Sequence, residues 1–254
     1  MAEGVPAAAR GRGLFWGFIV LMLALMVLFV SLGIWQVERL GEKERLVADV
    51  AERMNLPPAE LPPVTEWGAF DPESWNYKPV QVAGIWLPER TARVFTSLAD
   101  QHGQYGGPGY WVMTPLQLNA GGTVFVNRGF VPQDASDAFV TGGTLDAGLV
   151  SLTGIARASE DVGSFTPEPD TGKRIEWVRN TARLAALAGE VPQPVAPIFI
   201  DLPAVGQGAL PQGGETVVSF PNNHLGYAIT WFGFAVLVPF LLFFWVRRQR
   251  QPRA

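Results

Sequence analysis

The sequence predicts a membrane protein of two transmembrane helices that flank a large extracytoplasmic, β-rich domain of the α+β class. Residues 13–37 and residues 225–246 contain no Asp, Glu, Lys or Arg. Each stretch exceeds the roughly 20 residues that an α-helix needs to cross a bilayer. The segment between them contains many short β-type runs separated by glycine and proline, which is typical of a small antiparallel barrel or sandwich.

This reading divides the chain into six segments. They are a cytoplasmic tail (1–12), a first transmembrane helix (13–36), an amphipathic stalk helix (37–56), a β-rich periplasmic domain (57–223), a second transmembrane helix (224–246) and a basic cytoplasmic tail (247–254). The first apolar run is longer than the roughly 7–15 residues of a signal-peptide core, so we expect an uncleaved anchor. Ser31-Leu32-Gly33 is an acceptable cleavage site, so cleavage stays open as an alternative.

Charge predicts the orientation of the chain. Residues 33–224 hold 13 basic and 22 acidic side chains, a net charge of −9. Arg10 and Arg12 precede the first helix, and four arginines follow the second. Short basic tails stay in the cytoplasm under the positive-inside rule, which places the acidic middle outside. We therefore expect a multi-pass protein of the bacterial inner membrane, with both termini cytoplasmic and the main domain periplasmic.

The elements of the outer segment follow in order. Residues 37–54 carry apolar side chains near one helical face, so the first helix should continue as a stalk until four prolines at 57–63 end it. Residues 77–98 form two β-type runs about a turn at 88–90. Residues 107–132 form two more around Asn119-Ala120-Gly121-Gly122, which is a hairpin signal.

The rest of the outer segment predicts further strands at 148–158, 174–180 and 194–202. Between the last two, residues 181–189 predict a short helix with Thr181 as its N-cap and Gly189 as its stop.

Composition and motifs argue against most enzymes. The sequence has no Walker loop, no G-x-G-x-x-G after a strand, no H-E-x-x-H and no G-x-S-x-G. It has no cysteine and two histidines, His102 and His224, which excludes thiolate chemistry and a histidine-rich metal site. The acidic outer segment argues against nucleic-acid partners. We therefore expect a protein that is not an enzyme.

His224 stands at the entrance of the second apolar segment. Helical spacing places Tyr227, Ala228 and Trp231 on the same face, so an imidazole and two aromatic rings would line a slot about two turns deep. Ionisable side chains at membrane depth are usually functional, and neutral imidazole commonly binds haem iron. The alternative is that His224 caps the helix or bonds the loop, and that the two aromatic residues are ordinary interface residues.

Arg128 and His102 are the other residues of the outer segment that could contact a ligand. Arg128 follows the strand-like run 124–126. There its planar guanidinium either pairs with a carboxylate of the protein or binds an anionic ligand group such as a propionate. His102 lies in a glycine-rich loop and is expected to be an ordinary exposed residue.

Four blocks of the sequence resemble the Surfeit locus protein 1 family, the assembly factors of cytochrome c oxidase. They are LGIWQVERLGEK (32–43), PVQVAGIW (79–86), GPGYWVMTPLQLNAGGTVFVNRGFVP (107–132) and NNHLGYAITWFGFA (222–235). The blocks occur in the family's order and cover roughly a third of the chain, whereas residues 135–215 match little of the family pattern.

The resemblance implies a haem a chaperone that receives haem a from its synthase and helps to deliver it to the catalytic subunit of the oxidase. It implies that His224 contacts the haem iron and that Trp35 and Gln36 complete the pocket. On this reading Tyr227 and Trp231 pack the macrocycle. The expected partners are the catalytic subunit, haem a synthase and the lipid bilayer.

Two other functions stay open at this point. The chain could be a structural scaffold that holds immature oxidase without binding haem. A membrane enzyme acting on a porphyrin or quinone would need a catalytic cluster that the sequence lacks.

Overall fold

The computed structural model describes residues 7–216 and 222–249, which fall in two compact units. Among the described residues, one unit contains 7–49 and 222–249, and the other contains 50–216. Arg250 and Arg253 of the predicted basic tail lie outside the described residues. The elements are α1 (Ala7–Met54), β1 (Ala59–Glu60), α2 (Pro72–Trp75), β2 (Pro79–Trp86), β3 (Ala92–Leu98), β4 (Gly107–Leu118), β5 (Thr123–Pro132), β6 (Leu149–Ala158), β7 (Ile175–Glu176), α3 (Thr181–Ala188), β8 (Val195–Asp201) and α4 (His224–Gln249).

Two long helices make up the first unit. α1 has 48 residues and α4 has 26, and both are long and apolar enough to cross a membrane. α1 begins at Ala7, ahead of the predicted boundary at residue 13, and it continues without a break into the predicted stalk. α4 begins at His224, where the second transmembrane helix was predicted to begin.

The two helices pack side by side in opposite directions. Near one end, the ring centroids of Phe18 and Trp245 lie 4.3 Å apart. Nearer the other end, Phe29 stacks on Trp231 at 5.8 Å. Residues early in α1 therefore contact residues late in α4, which defines an antiparallel pair. The face of α4 that is buried in this pairing includes the small side chain of Ala228.

The outer surface of the helical pair is apolar. Leu14 on α1 is 74% exposed and Ile229 on α4 is 65% exposed, and many large apolar side chains of both helices share this exposure. A soluble monomer rarely presents so large an apolar surface to water. Lipid tails solvate such a surface, and each helix satisfies its own backbone hydrogen bonds there.

The second unit is built on a closed five-stranded barrel. Its strands pair in the order β2, β6, β8, β5 and β4, and pairing of β2 with β4 closes the ring. Four of the five ladders are antiparallel, and β5 with β8 is parallel. A closed ring with an odd number of strands must contain a parallel pair, because directions cannot alternate around it. The predicted small barrel is confirmed, with this one parallel seam.

The remaining strands extend the barrel sheet at its sides. β3 pairs with β4, β7 runs parallel to β3, and β1 runs parallel to β2. The strand predicted at 174–180 is limited to β7, which has two residues. α3 begins as predicted, but its N-cap is Asn180 rather than Thr181, because the Asn180 side chain accepts a hydrogen bond from the backbone N–H of Arg183.

The predicted hairpin joins β4 to β5. Gly121 and Gly122 have φ angles of 96° and 72°, a backbone region that residues other than glycine rarely adopt. The N–H of Leu118 donates to the carbonyl of Gly122 at 3.0 Å and closes the turn.

Strand β5 supplies side chains to two hydrophobic cores. Val124 and Val126 belong to one core, together with residues of β2, β4, β6 and β8. Phe125 and Phe130 belong to the other, which α3 covers with Leu184 and Leu187. Because successive side chains of a strand point to opposite faces, β5 is buried on both sides and reads as a nearly continuous apolar run.

Candidate functional site

His224 and Gln36 meet within the helical unit. The imidazole Nδ1 of His224 lies 2.7 Å from the amide Oε1 of Gln36, and Gln36 is buried. An amide oxygen accepts but cannot donate, so Nδ1 carries the proton of this hydrogen bond. In the neutral ring Nε2 is then unprotonated, and its lone pair is free for a metal or another Lewis acid.

The two residues occupy positions that favour this contact. His224 is the first residue of α4, and Gln36 lies on the part of α1 that runs alongside it. Close helix approach is supported nearby by Gly33, because a Cβ atom at that position would lie 2.6 Å from the Phe232 ring. The imidazole is therefore oriented by the partner helix.

The residues predicted to line a slot below His224 divide into two groups. Ala228 is buried, and the ring of Trp231 stacks on Phe29 with 23° between the planes. These two side chains therefore face α1. Tyr227 is 56% exposed and lies outside that packed seam. One face of Trp231 is thus already covered by protein, while Tyr227 has a free aromatic surface.

Trp35 provides a second free aromatic surface. It precedes Gln36 in α1 and is half exposed. The structure therefore brings together His224 and Gln36 directly, with Trp35 and Tyr227 as exposed rings close to them in sequence.

Arg128 lies on β5 in the other unit, where it anchors a loop. Its guanidinium donates to the carbonyl oxygens of Gly142 and Thr144, the second at 2.8 Å, and stands 5.8 Å from the ring centroid of Trp86. Burial lowers the pKa of Arg128, and the charge of Asp146 acts in the opposite direction. The acceptors that the structure shows for Arg128 are backbone carbonyls and not a carboxylate. Its contact with a propionate stays a prediction.

The second histidine has a different environment. His102 is exposed in a loop, as expected, and its ring Nδ1 lies 3.3 Å from the carbonyl oxygen of Gly214. Among the residues that the structure describes, no group of three or more His, Asp or Glu side chains could hold a metal ion. A neutral imidazole such as His224 can serve as one ligand of a metal that brings its other ligands with it.

Sequence reasoning missed a buried ion cluster in the β-domain. The carboxylate of Asp201, at the end of β8, accepts hydrogen bonds from Arg157 at 3.1 Å, Asn127 at 2.8 Å and Thr216 at 3.0 Å. Arg179 lies 3.9 Å from the same carboxylate. These groups are far apart in the chain and carry no common motif, so only the strand pairing reveals the cluster. Its geometry ties β5, β6 and β8 together and indicates a structural role.

Comparison with known proteins places the whole layout in one family pattern. The model of the SURF1 family matches residues 23–236, which include most of α1, half of α4 and the whole β-domain. A SURF1-like protein of Monosiga brevicollis is 30% identical over 261 residues, covering 96% of this chain and 91% of that protein. Surfeit locus protein 1 of Homo sapiens is 30% identical over 236 residues, covering 87% and 75% respectively. The protein of that name from Mus musculus is 29% identical over 254 residues, covering 95% and 79%.

Proposed function

The chain belongs to the SURF1 family, and from that premise we propose that it is an assembly factor of cytochrome c oxidase. In this proposal it holds haem a at the outer interface of the membrane and helps to deliver it to the catalytic subunit. The observation that carries the haem assignment is the hydrogen bond between His224 and Gln36.

The donor chemistry of this pair fits haem as cargo. A porphyrin supplies four nitrogen ligands, so one neutral imidazole is enough to attach the iron. The His224 tautomer selected by Gln36 offers Nε2 for that bond. A carbonyl-type acceptor on the other ring nitrogen also fixes the orientation of the ring, as partners of metal-bound histidines do.

The surroundings of the pair fit a flat apolar macrocycle with a lipid-like tail. Trp35 and Tyr227 have exposed aromatic faces on which the macrocycle can pack. Trp231, held by Phe29, serves as a fixed wall rather than a free stacking partner. The apolar outer surface of both helices gives the tail a path into lipid.

The proposed activity is transfer rather than catalysis. His224 binds and orients the cargo, and no covalent bond of the haem is made or broken. A donor must release its cargo, and attachment through one imidazole allows release once an acceptor offers stronger ligands. The chain is accordingly proposed to be a carrier and not an enzyme.

The same proposal places both termini in the cytoplasm and the acidic β-domain on the periplasmic side of a bacterial inner membrane. The support is the charge of the tails against the net −9 of residues 33–224. Its partners are then haem a synthase, the oxidase catalytic subunit and the bilayer, and no nucleic acid.

A complementation experiment tests the proposal. Cells that lack this protein receive the wild-type gene, His224→Ala or the matched control His102→Ala, and the haem a content of the purified oxidase is measured. We expect full haem with wild type and His102→Ala, and haem-deficient oxidase with His224→Ala at equal expression. Full haem content and activity with His224→Ala would instead support the scaffold function.

A further inference from the structure

The β-domain contains a cavity of about 630 Å³ that is lined by positive charge. Its walls include Arg90, Arg93, Lys173 and Arg174, together with the C-terminal end of α3. We call it the basic cavity. All of its lining residues belong to the unit of residues 50–216, and neither His224 nor Arg128 is among them.

The arginines of the basic cavity are held in place by backbone carbonyl groups. Arg90 donates to Ala188 at the end of α3 at 3.2 Å, which shields a carbonyl that would repel an anion. Arg93 donates to Ser136 at 3.2 Å, and Arg174 donates to Val140 at 3.2 Å. Because a guanidinium has five N–H donors and carbonyls carry no net charge, these bonds position the cations without neutralising them.

Ion pairing offsets little of this positive charge. Within the described residues, one of the four cations forms an ion pair: the Arg93 guanidinium lies 3.2 Å from the carboxylate of Asp137. The Asp137 side chain is 99% exposed, so solvent screens this pair strongly. A cluster of like charges around one cavity raises the local potential and attracts anions, even in an acidic protein.

A tight turn brings two of the cations to the cavity. Asp170 and Ile175 exchange backbone hydrogen bonds of 2.9 and 3.0 Å around residues 171–174. The carboxylate of Asp170 also accepts from the N–H of Lys173 at 3.0 Å. Arg174 adopts a φ of 49°, a left-handed conformation that is costly for a residue other than glycine and is often retained at functional sites. Its carbonyl accepts from the N–H of Arg93 at 2.9 Å, which fixes the turn to β3.

We propose that the basic cavity binds a small molecule or headgroup whose negative charge lies on phosphoryl or carboxylate oxygens. Guanidinium forks match the geometry of such oxyanions, and the cavity volume is typical of ligand sites. The same chemistry is offered by the headgroup of an anionic phospholipid and by a soluble phosphate or carboxylate compound. This site is separate from the proposed haem contact and does not depend on it.

The test uses the full chain in non-ionic detergent, with pyrophosphate as the probe in isothermal titration calorimetry. Lys173→Gln and Arg90→Gln should each weaken binding about tenfold or more, the usual effect of losing a charge-assisted contact. Lys78→Gln makes the same charge change outside the cavity and should leave the dissociation constant unchanged. An absence of saturable binding, or equal weakening by Lys78→Gln, overturns the proposal.

A second arm separates the two sources of the anion. The chain is placed in nanodiscs of phosphatidylcholine alone or with added phosphatidylglycerol, and the pyrophosphate titration is repeated. If a lipid headgroup occupies the cavity, phosphatidylglycerol should compete with pyrophosphate in the wild type, and Lys173→Gln should abolish the competition. If the ligand is soluble, the pyrophosphate affinity should be the same in both nanodiscs.

Discussion

Replacing Gln36 by leucine should weaken haem binding while leaving the helical pair folded. The substitution removes the 2.7 Å acceptor from His224 Nδ1 at a buried position and replaces it with a side chain of similar size. The ring loses the partner that selects the tautomer with a free Nε2. Loss of one such hydrogen bond costs about 1–3 kcal/mol, which corresponds to a dissociation constant about 5- to 150-fold larger.

The assay is a titration of haem into the purified chain in non-ionic detergent, followed by Soret absorbance. Gln36→Glu keeps an acceptor for Nδ1 and should retain most of the affinity. Ser31→Ala is the matched control on the same helix, since the Ser31 hydroxyl donates only to the carbonyl of Val27 in its own helix. If Gln36→Leu binds haem as tightly as wild type, or if Ser31→Ala weakens binding equally, the tautomer argument is refuted.

Three further predictions concern the β-domain. Leu184 is fully buried, so Leu184→Ala should lower the free energy of unfolding by about 2–5 kcal/mol in urea denaturation. Leu149 is exposed, so the control Leu149→Ala should change it by about 0.5 kcal/mol or less. Asp201→Asn should cost about 3–5 kcal/mol in the same assay, because it removes the charge of the buried carboxylate that pairs with the half-buried Arg157, and a cost near zero would contradict the cluster's role. Burial alone would raise the pKa of the Glu160 carboxyl, but the charge and hydrogen bonds of Arg179 outweigh this and lower it. The pKa of Glu160 in the folded state therefore lies below its value in the unfolded state. The stabilisation of the fold by the Glu160–Arg179 pair is fully present above the unfolded-state pKa, and it is lost as the pH falls through the folded-state pKa. The melting-temperature difference between wild type and Glu160→Gln should therefore shrink between about pH 7 and pH 3, and a constant difference would contradict it.

Much of the fold followed from local sequence patterns. The charge-free runs predicted both long helices, and the glycine pair at 121–122 predicted the β4–β5 hairpin. The parallel pairing of β5 with β8 could not be predicted from local patterns, because the closure of the barrel between residues far apart in sequence sets the direction of the strands. The predicted N-cap of α3, Thr181, was wrong by one residue. Asn180 and Thr181 are both good capping residues, and only the backbone geometry decides between them.

The candidate site was only partly predictable. Helical spacing singled out His224, but Gln36 came from the family resemblance, because no local pattern links positions 188 residues apart. The same spacing put Tyr227 and Trp231 on one face, whereas packing against α1 covers Trp231 and leaves Tyr227 exposed. The basic cavity was missed because its cations come from two segments that lie far apart in the chain, 90–93 and 173–174.

The central claim is that His224 binds the iron of haem a. The most direct measurement is the absorption spectrum of the protein purified in mild detergent from cells that make haem a, for wild type, His102→Ala and His224→Ala. The account predicts a Soret band with wild type and His102→Ala, and its loss with His224→Ala. A wild-type protein without Soret absorbance, or a His224→Ala protein with the full haem load, would contradict it.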